Sequence, residues 1–196
     1  MTTDASTLLS SVSERPLTVL VFFRGSWCPF CQSYLRELNG SFRERLEGQG
    51  GKLVGVTSQS ADAATQAHDD WGLAFDVVSQ PSNDLARRFE VAITEKAQTP
   101  LAEVPGEYPS GMAQPAVVAL DRAGKVLYRW AIEPSTMNLG GATDRPLPDE
   151  IWAAIEAARA GAPVPAASPR RLDVDFIAEH YPEQHATFVE WTKQTS

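Results

Sequence analysis

The chain is poor in metal-ligating side chains, with 2 Cys and 3 His among 196 residues. A structural zinc site needs four ligands. His68, His180 and His185 lie far in sequence from Cys28 and Cys31, which argues against a metal site. Long apolar runs are also missing. None approaches the roughly 20 residues needed to span a bilayer, so no membrane partner is expected. Positive charge is scarce: 17 Lys and Arg against 25 Asp and Glu leave a formal net charge of −8. That balance opposes general binding to nucleic acid or to an anionic membrane surface. Met1-Thr2-Thr3-Asp4 is not a basic-then-apolar leader, so no secretory signal is expected and the chain reads as cytoplasmic. In that compartment thiols stay largely reduced, and a disulfide is a transient species. No internal repeat is visible.

What is present centres on one stretch, Phe22-Phe23-Arg24-Gly25-Ser26-Trp27-Cys28-Pro29-Phe30-Cys31. It follows the apolar run 17–23, which reads as a strand buried on both faces. It opens a helical pattern over 29–47 whose apolar stripe is Cys31, Tyr34, Leu35, Leu38, Phe42 and Leu46. Both cysteines therefore stand where a strand turns into a helix. A helix N-terminus offers unpaired N–H groups and the positive end of the dipole, and both favour a negative sulfur. Cys-x-x-Cys at such a place is a redox signature, with thiol pKa values drawn down to roughly 3.5–7.5. Pro29 suits the first helical position because its missing N–H would be an orphan there. The i, i+3 spacing puts Cys28 and Cys31 on one helix face. Cys28 is expected to be the exposed nucleophile and Cys31 the more buried resolving thiol. A purely structural disulfide would close only a tiny loop and stabilise little.

The remaining pattern predicts an α/β order. A short helix over 4–14 turns Leu8, Leu9 and Val12 inward. A strand over 52–58 follows the Gly48-Gln49-Gly50-Gly51 stop, and Asn39-Gly40 is expected to bend the long helix. A helix over 61–71, a strand over 75–79 and a helix from Ser82 or Asn83 to Phe89 complete a βαβαβα run, which favours parallel pairing with right-handed crossovers. Residues 94–114 read as a long irregular loop, of a length that is often functional. Strands at 116–120 and 125–132 around an Asp121-Arg122-Ala123-Gly124 turn form a hairpin, so the sheet becomes mixed. A helix over 149–160 ends at Gly161. The predicted organisation is one domain over 1–161 and, over 162–196, a Pro- and Ala-rich linker with a helical extension. That extension carries Phe176, Ile177, Phe188, Val189 and Trp191, and it is expected to dock on the domain or on the second subunit of a homodimer.

With Trp-Cys-Pro-Phe-Cys at the first strand–helix junction and a Pro before a late hairpin, the chain resembles the thioredoxin fold. It is most similar to the peroxiredoxin-like redoxins of the alkyl hydroperoxide reductase/thiol-specific antioxidant group, over about residues 15–160. The resemblance rests on the 22–31 stretch, on 115–125 and on Arg145-Pro146-Leu147-Pro148-Asp149-Glu150-Ile151. It implies a cis Pro115 lying against the cysteines and presenting the backbone of Gln114 to substrate. It also implies a substrate site that includes Trp27 and Pro29, with Arg24 or Arg145 as the arginine that such redoxins use to hold peroxide oxygens. The chain departs from the pattern. Peroxiredoxins carry a Pro seven residues, and a Thr or Ser three residues, before the peroxidatic Cys; here Val21 and Gly25 stand there. Thioredoxins carry an acidic residue six positions before the first Cys, where this chain has Phe22. Cys-Pro-Phe-Cys also looks like the glutaredoxin tetrapeptide, and Gly140-Gly141 resembles a glutathione-binding pair, but it lies too far after Pro115 and reads as a loop.

The implied function is thiol–disulfide chemistry. The substrate is a hydroperoxide, or alternatively a protein disulfide; the reductant is an external thiol, thioredoxin or a low-molecular-weight thiol, and no cofactor is implied. A third reading is a redox-sensing or partner-binding module that performs no catalysis.

Overall fold

The computed structural model describes residues 5–94, 107–134, 144–167, 170–171 and 178–179. At its centre is β1 (Leu17–Phe23), whose seven residues are all buried. It pairs in parallel with β2 (Lys52–Thr57), which pairs in parallel with β3 (Asp76–Ser79). On its other side β1 pairs antiparallel with β6 (Ala116–Asp121), and β6 pairs antiparallel with β7 (Val126–Ala131). The five-stranded order β3-β2-β1-β6-β7 is the mixed sheet expected from the sequence.

The period of two along β1 sorts the core into two layers. Leu17, Val19, Val21 and Phe23 pack on one face with Leu53, Val117 and Ala119, beneath α2 (Pro29–Glu37), α3 (Arg43–Gly48) and α6 (Pro148–Arg159). Leu20 and Phe22 pack on the other face with Val54, Val56, Val118 and Leu120, against α1 (Ala5–Val12) and α5 (Asp84–Arg88). The run, apolar apart from Thr18, is thus explained: a strand covered on both faces leaves little room for a polar residue. Trp71, at the end of α4 (Ala61–Trp71), lies 5.4 Å from the Phe23 ring and closes the first layer at the strand end that leads to the cysteines.

The bend expected at Asn39-Gly40 is a five-residue π turn, Leu38–Phe42, with Gly40 at φ −84°, ψ −129°. Asn39 stabilises it from outside: its side-chain amide donates to the Gly72 carbonyl at 3.1 Å and accepts from the Ala74 N–H at 2.9 Å. Leu38 and Phe42 stay buried across the turn, so the apolar stripe of the helix continues into α3.

Two features exceed the sequence reading. Within the long loop, β5 (Met112–Ala113) pairs antiparallel with β4 (Ile93–Thr94). After α6, residues 162–166 run exposed, and β9 (Arg170–Arg171) then pairs with β8 (Asp144–Arg145). Residues 170–171 therefore lie against the strand that carries Arg145. Apart from Ala178 and Glu179, which are helical, the two expected C-terminal helices lie outside the described residues, as does Gly140-Gly141. Among the described residues no helix is long and apolar enough to cross a membrane.

Pro115 differs from expectation. There is no cis peptide bond among the described residues, so Pro115 is trans. It precedes β6 directly, and its carbonyl accepts from the Ile132 N–H at 3.0 Å, extending the hairpin ladder by one bond. A trans X–Pro bond is the lower-energy form by about 0.5–1 kcal/mol, and an extended entry into a strand does not require the turn that a cis bond makes.

Gly51 couples the helical layer to β1. A Cβ there would stand 2.9 Å from the Leu17 carbonyl oxygen and would also collide with Leu46 Cδ1. Gly51→Ala is expected to destabilise the fold by about 1–3 kcal/mol, as overpacking does. Urea unfolding would read this as a lower midpoint with the m-value unchanged; an unchanged midpoint would contradict the close approach.

Candidate redox site

β1 ends at Phe23, and the next eight residues build the site. Residues 25–28 form a turn in which the Cys28 N–H donates to the Gly25 carbonyl at 3.1 Å. Cys28 then serves as the N-cap of α2, with extended backbone (φ −87°, ψ 107°), and Pro29 takes the first turn. The N-cap side chain here is a sulfur rather than the usual oxygen. Cys28 Sγ accepts from the Cys31 N–H at 3.4 Å, so one orphan donor of the helix start points at the sulfur.

Both cysteines are reduced, and the Cys31 thiol donates to Cys28 Sγ at 2.7 Å. Arg24, the residue directly after β1, donates from Nη2 to Cys28 Sγ at 3.4 Å. Arg145 arrives from β8 and donates from Nη2 to Cys31 Sγ at 3.8 Å. Its Nη1 donates to the Asp144 carbonyl at 2.6 Å. Tyr34 of α2 helps to hold this distant segment: its hydroxyl donates to the Pro146 carbonyl at 2.9 Å, and the Arg145 guanidinium lies 5.9 Å from its ring. Both arginines named from the sequence as candidates thus reach the sulfur pair.

Burial corrects one expectation. Cys28 is 0% and Cys31 1% exposed, and Arg24 and Arg145 are 4% and 1%. Cys28 is therefore as buried as Cys31, because Arg24 and half-buried Trp27 close over it. The Arg24 guanidinium lies 5.3 Å from the Trp27 ring in a cation–π stack. Pro29 is half-buried, like Trp27.

The difference between the sulfurs is one of charge. Burial pushes the Cys28 thiol up, but the hydrogen bond from Cys31 and the charges of Arg24 and Arg145 together bring it well below the ordinary thiol value. Burial raises Cys31 well above that value, and its hydrogen bond to Cys28 and the neighbouring thiolate add to the rise. Of the two, Cys28 is the sulfur that gives up its proton more readily and Cys31 the one that keeps it. The thiolate on Cys28 is the nucleophilic form, and a protonated thiol stands in contact with it.

Gln114 is placed differently from the expectation. Its N–H donates to the Ala92 carbonyl at 2.8 Å and its side-chain amide to Thr94 Oγ1 at 2.7 Å, so that backbone donor is already committed to the β4–β5 side of the fold. Two residues that the sequence did not single out do border the site. Tyr108 lies in the long loop; its hydroxyl accepts from Trp27 Nε1 at 2.7 Å and donates to the Arg24 carbonyl at 2.9 Å. Gln59, two residues after β2, accepts from the Ser26 N–H at 2.7 Å through Oε1. Neither carries a spacing signal; only the length of the loop pointed towards Tyr108. Among the described residues no group of three or more His, Cys, Asp or Glu side chains is placed to hold a metal ion.

Comparison with known proteins bears on the fold and the family. The fold is similar to the crystal structure of AhpC from Enterococcus faecalis, with a TM-score of 0.55 and 18% identity over 84% of this chain and 78% of that one. It is similar to the peroxidoxin BcpB from Mycobacterium tuberculosis, with a TM-score of 0.54 and 16% identity over 78% and 84%. It is also similar to the bacterioferritin comigratory protein of Xanthomonas campestris, with a TM-score of 0.51 and 20% identity over 75% and 80%. No curated protein matches the chain in sequence. The family model described as AhpC/TSA family matches residues 2–129, which include β1, both cysteines, Arg24 and the β6–β7 turn. With a thioredoxin-like mixed sheet and a match over well more than half of its length, the chain belongs to the AhpC/TSA family.

Proposed function

We propose that the protein is a thiol peroxidase that reduces hydroperoxides with Cys28 and resolves with Cys31. The observation that carries this reading is the buried Cys28 sulfur, capping α2 and held by Arg24, with the Cys31 thiol 2.7 Å away. The thiolate attacks the distal oxygen of ROOH; the O–O bond breaks, and the alkoxide leaves and takes a proton to become ROH. Cys28 becomes a sulfenic acid. The Cys31 sulfur then attacks the Cys28 sulfur, water leaves, and a disulfide forms. An external dithiol returns both cysteines to the reduced state by exchange. Arg24 stabilises the thiolate and offers a donor to the developing oxyanion. Its Nε has no hydrogen-bond partner among the described residues, while its Nη2 holds the sulfur.

Burial favours a small hydroperoxide over a folded protein disulfide, since only a small molecule passes Trp27 and Pro29 without large displacement. The trans Pro115 and the committed Gln114 N–H also remove the backbone arrangement on which strand-like docking of a disulfide substrate would rest. The Xanthomonas campestris neighbour has alkyl peroxide reduction activity, which supports the same substrate class here. Trp27, Pro29, Arg24 and Arg145 would line the substrate's path.

Stopped-flow tryptophan fluorescence of the reduced protein against hydrogen peroxide and an organic hydroperoxide tests the reading. A fast, saturable change that vanishes in Cys28→Ser is expected. A rate no better than that of a free thiolate, together with rapid reduction of a protein disulfide, would replace it with the disulfide-reductase reading. Cys31→Ser should complete one attack and then accumulate oxidised Cys28, detected by mass spectrometry; sustained turnover with a dithiol reductant would remove Cys31 from the resolving role. Arg24→Gln should slow peroxide attack on the order of 10²-fold, the scale of losing one preorganised donor.

The pH dependence follows from the sign of the shift. A lowered Cys28 keeps the thiolate as pH falls, so the second-order rate should decline at a lower pH than that of a free thiol. A free thiol has its midpoint near about 8.5. A profile matching the free thiol would contradict the stabilised thiolate.

A further inference from the structure

Beside Cys28, Gly25 leaves a notch that another part of the chain fills. Its φ is not in the left-handed region, so the backbone does not demand glycine there; the space does. A Cβ at Gly25 would stand 2.5 Å from Tyr108 Oη and 2.6 Å from the Gln59 side chain. The Tyr108 hydroxyl in that notch is held at both ends, by the Trp27 indole N–H and by the Arg24 carbonyl. Burial pushes its pKa up, so it stays a neutral donor and acceptor.

The turn that delivers Tyr108 is anchored from inside the domain. The Gly111 N–H donates to the Tyr108 carbonyl at 3.1 Å. The Asn83 amide donates to the Ser110 and Gly111 carbonyls at 3.0 and 2.7 Å. Asn83, 2% exposed and left-handed at φ 60°, accepts in turn from the Ser58 hydroxyl at 2.6 Å, and Ser58 accepts from the Ala113 N–H at 2.9 Å. A buried network that leaves few of its polar groups free is rigid. Here it fixes a loop residue over the strand–helix junction.

We propose that Tyr108 is a positioning residue of the redox site: its hydroxyl locks the Trp27–Arg24 stack and thereby holds the Arg24 guanidinium on the Cys28 sulfur. The inference deepens the thiol-peroxidase reading and rests on its assignment of Cys28 as the nucleophile. The hydroxyl binds one stack member through its indole and the other through its main chain, so it restrains their relative placement. Among the described residues, Cys31 from α2, Arg24 from the end of β1 and Arg145 from β8 are the titratable or charged groups that act on Cys28, and Tyr108 from its turn stands beside them as a neutral hydroxyl. Of these, Tyr108 acts through Arg24 rather than through a charge of its own.

The test is the pH profile of Cys28 alkylation by iodoacetamide in the reduced full-length protein, with Cys31→Ser as background so that one thiol reacts. Tyr108→Phe keeps the ring and removes only the hydroxyl. The expected result is a raised midpoint and a rate about fivefold lower on the rising limb, the effect of one lost hydrogen bond. In Arg24→Gln the midpoint is already raised, and adding Tyr108→Phe moves it no further, the non-additivity of groups that act through one another. Arg24→Lys, which keeps the charge and loses the planar fork, is the second background if Arg24→Gln does not fold. An unchanged midpoint in Tyr108→Phe, or an equal shift with and without Arg24, overturns the proposal. Alkylation needs no peroxide, so this result separates from a failure of the peroxidase assay.

Discussion

A negative sulfur buried from water is the constraint to which the rest of this site answers. Burial alone would return the proton to Cys28, because a charge taken out of water is costly unless it is paired and hydrogen-bonded. The chain meets that cost with three kinds of donor: the Cys31 N–H at the start of α2, the Cys31 thiol, and the Arg24 guanidinium. The Arg145 charge stands behind the second sulfur. Because one sulfur donates to the other, the same interaction that lowers Cys28 raises Cys31. The pair is therefore asymmetric in how firmly each sulfur holds its proton.

That asymmetry depends on parts of the fold with no common origin in sequence. β1 delivers Arg24 and the turn; α2 delivers both cysteines and Tyr34; β8 delivers Arg145, seated against Tyr34 and paired with β9. The double burial of β1 makes this precise, since a strand packed on both faces and hydrogen-bonded on both edges has little freedom to shift its end. The π turn beyond α2 lets the helix bend around the sheet while keeping Leu38 and Phe42 in the core, so the N-terminus that caps on Cys28 is held by packing far from it.

The site is also closed. Cys28 lies under Arg24 and Trp27, with Tyr108 bonded to both. Dryness strengthens the electrostatics that hold the thiolate and restricts what can reach it. The absence of a side chain at Gly25 belongs to the same design: the space is taken by Tyr108 and Gln59 from elements distant in the chain. A site in which the loop supplies the wall is tuned by the loop, even though the reacting atoms sit on regular elements.

Much of this was legible in the chain itself. The run 17–23, the stop at Gly48-Gln49-Gly50-Gly51, and the Asp121–Gly124 turn fixed the order of elements, since burial on two faces and chain reversal each demand particular residue types. Cys28-Pro29-Phe30-Cys31 after a strand announced a thiol at a helix start, because spacing and helix polarity are local properties. The tertiary structure alone decided the rest. It brought Arg145 to Cys31 across more than a hundred residues and put Tyr108 in the notch of Gly25. It buried Cys28 as deeply as its partner and kept Pro115 trans. None of these has a periodicity to read. Each is set by which distant segments pack together, and a charge, a hydroxyl or a missing Cβ acquires its meaning only from the neighbour that packing gives it.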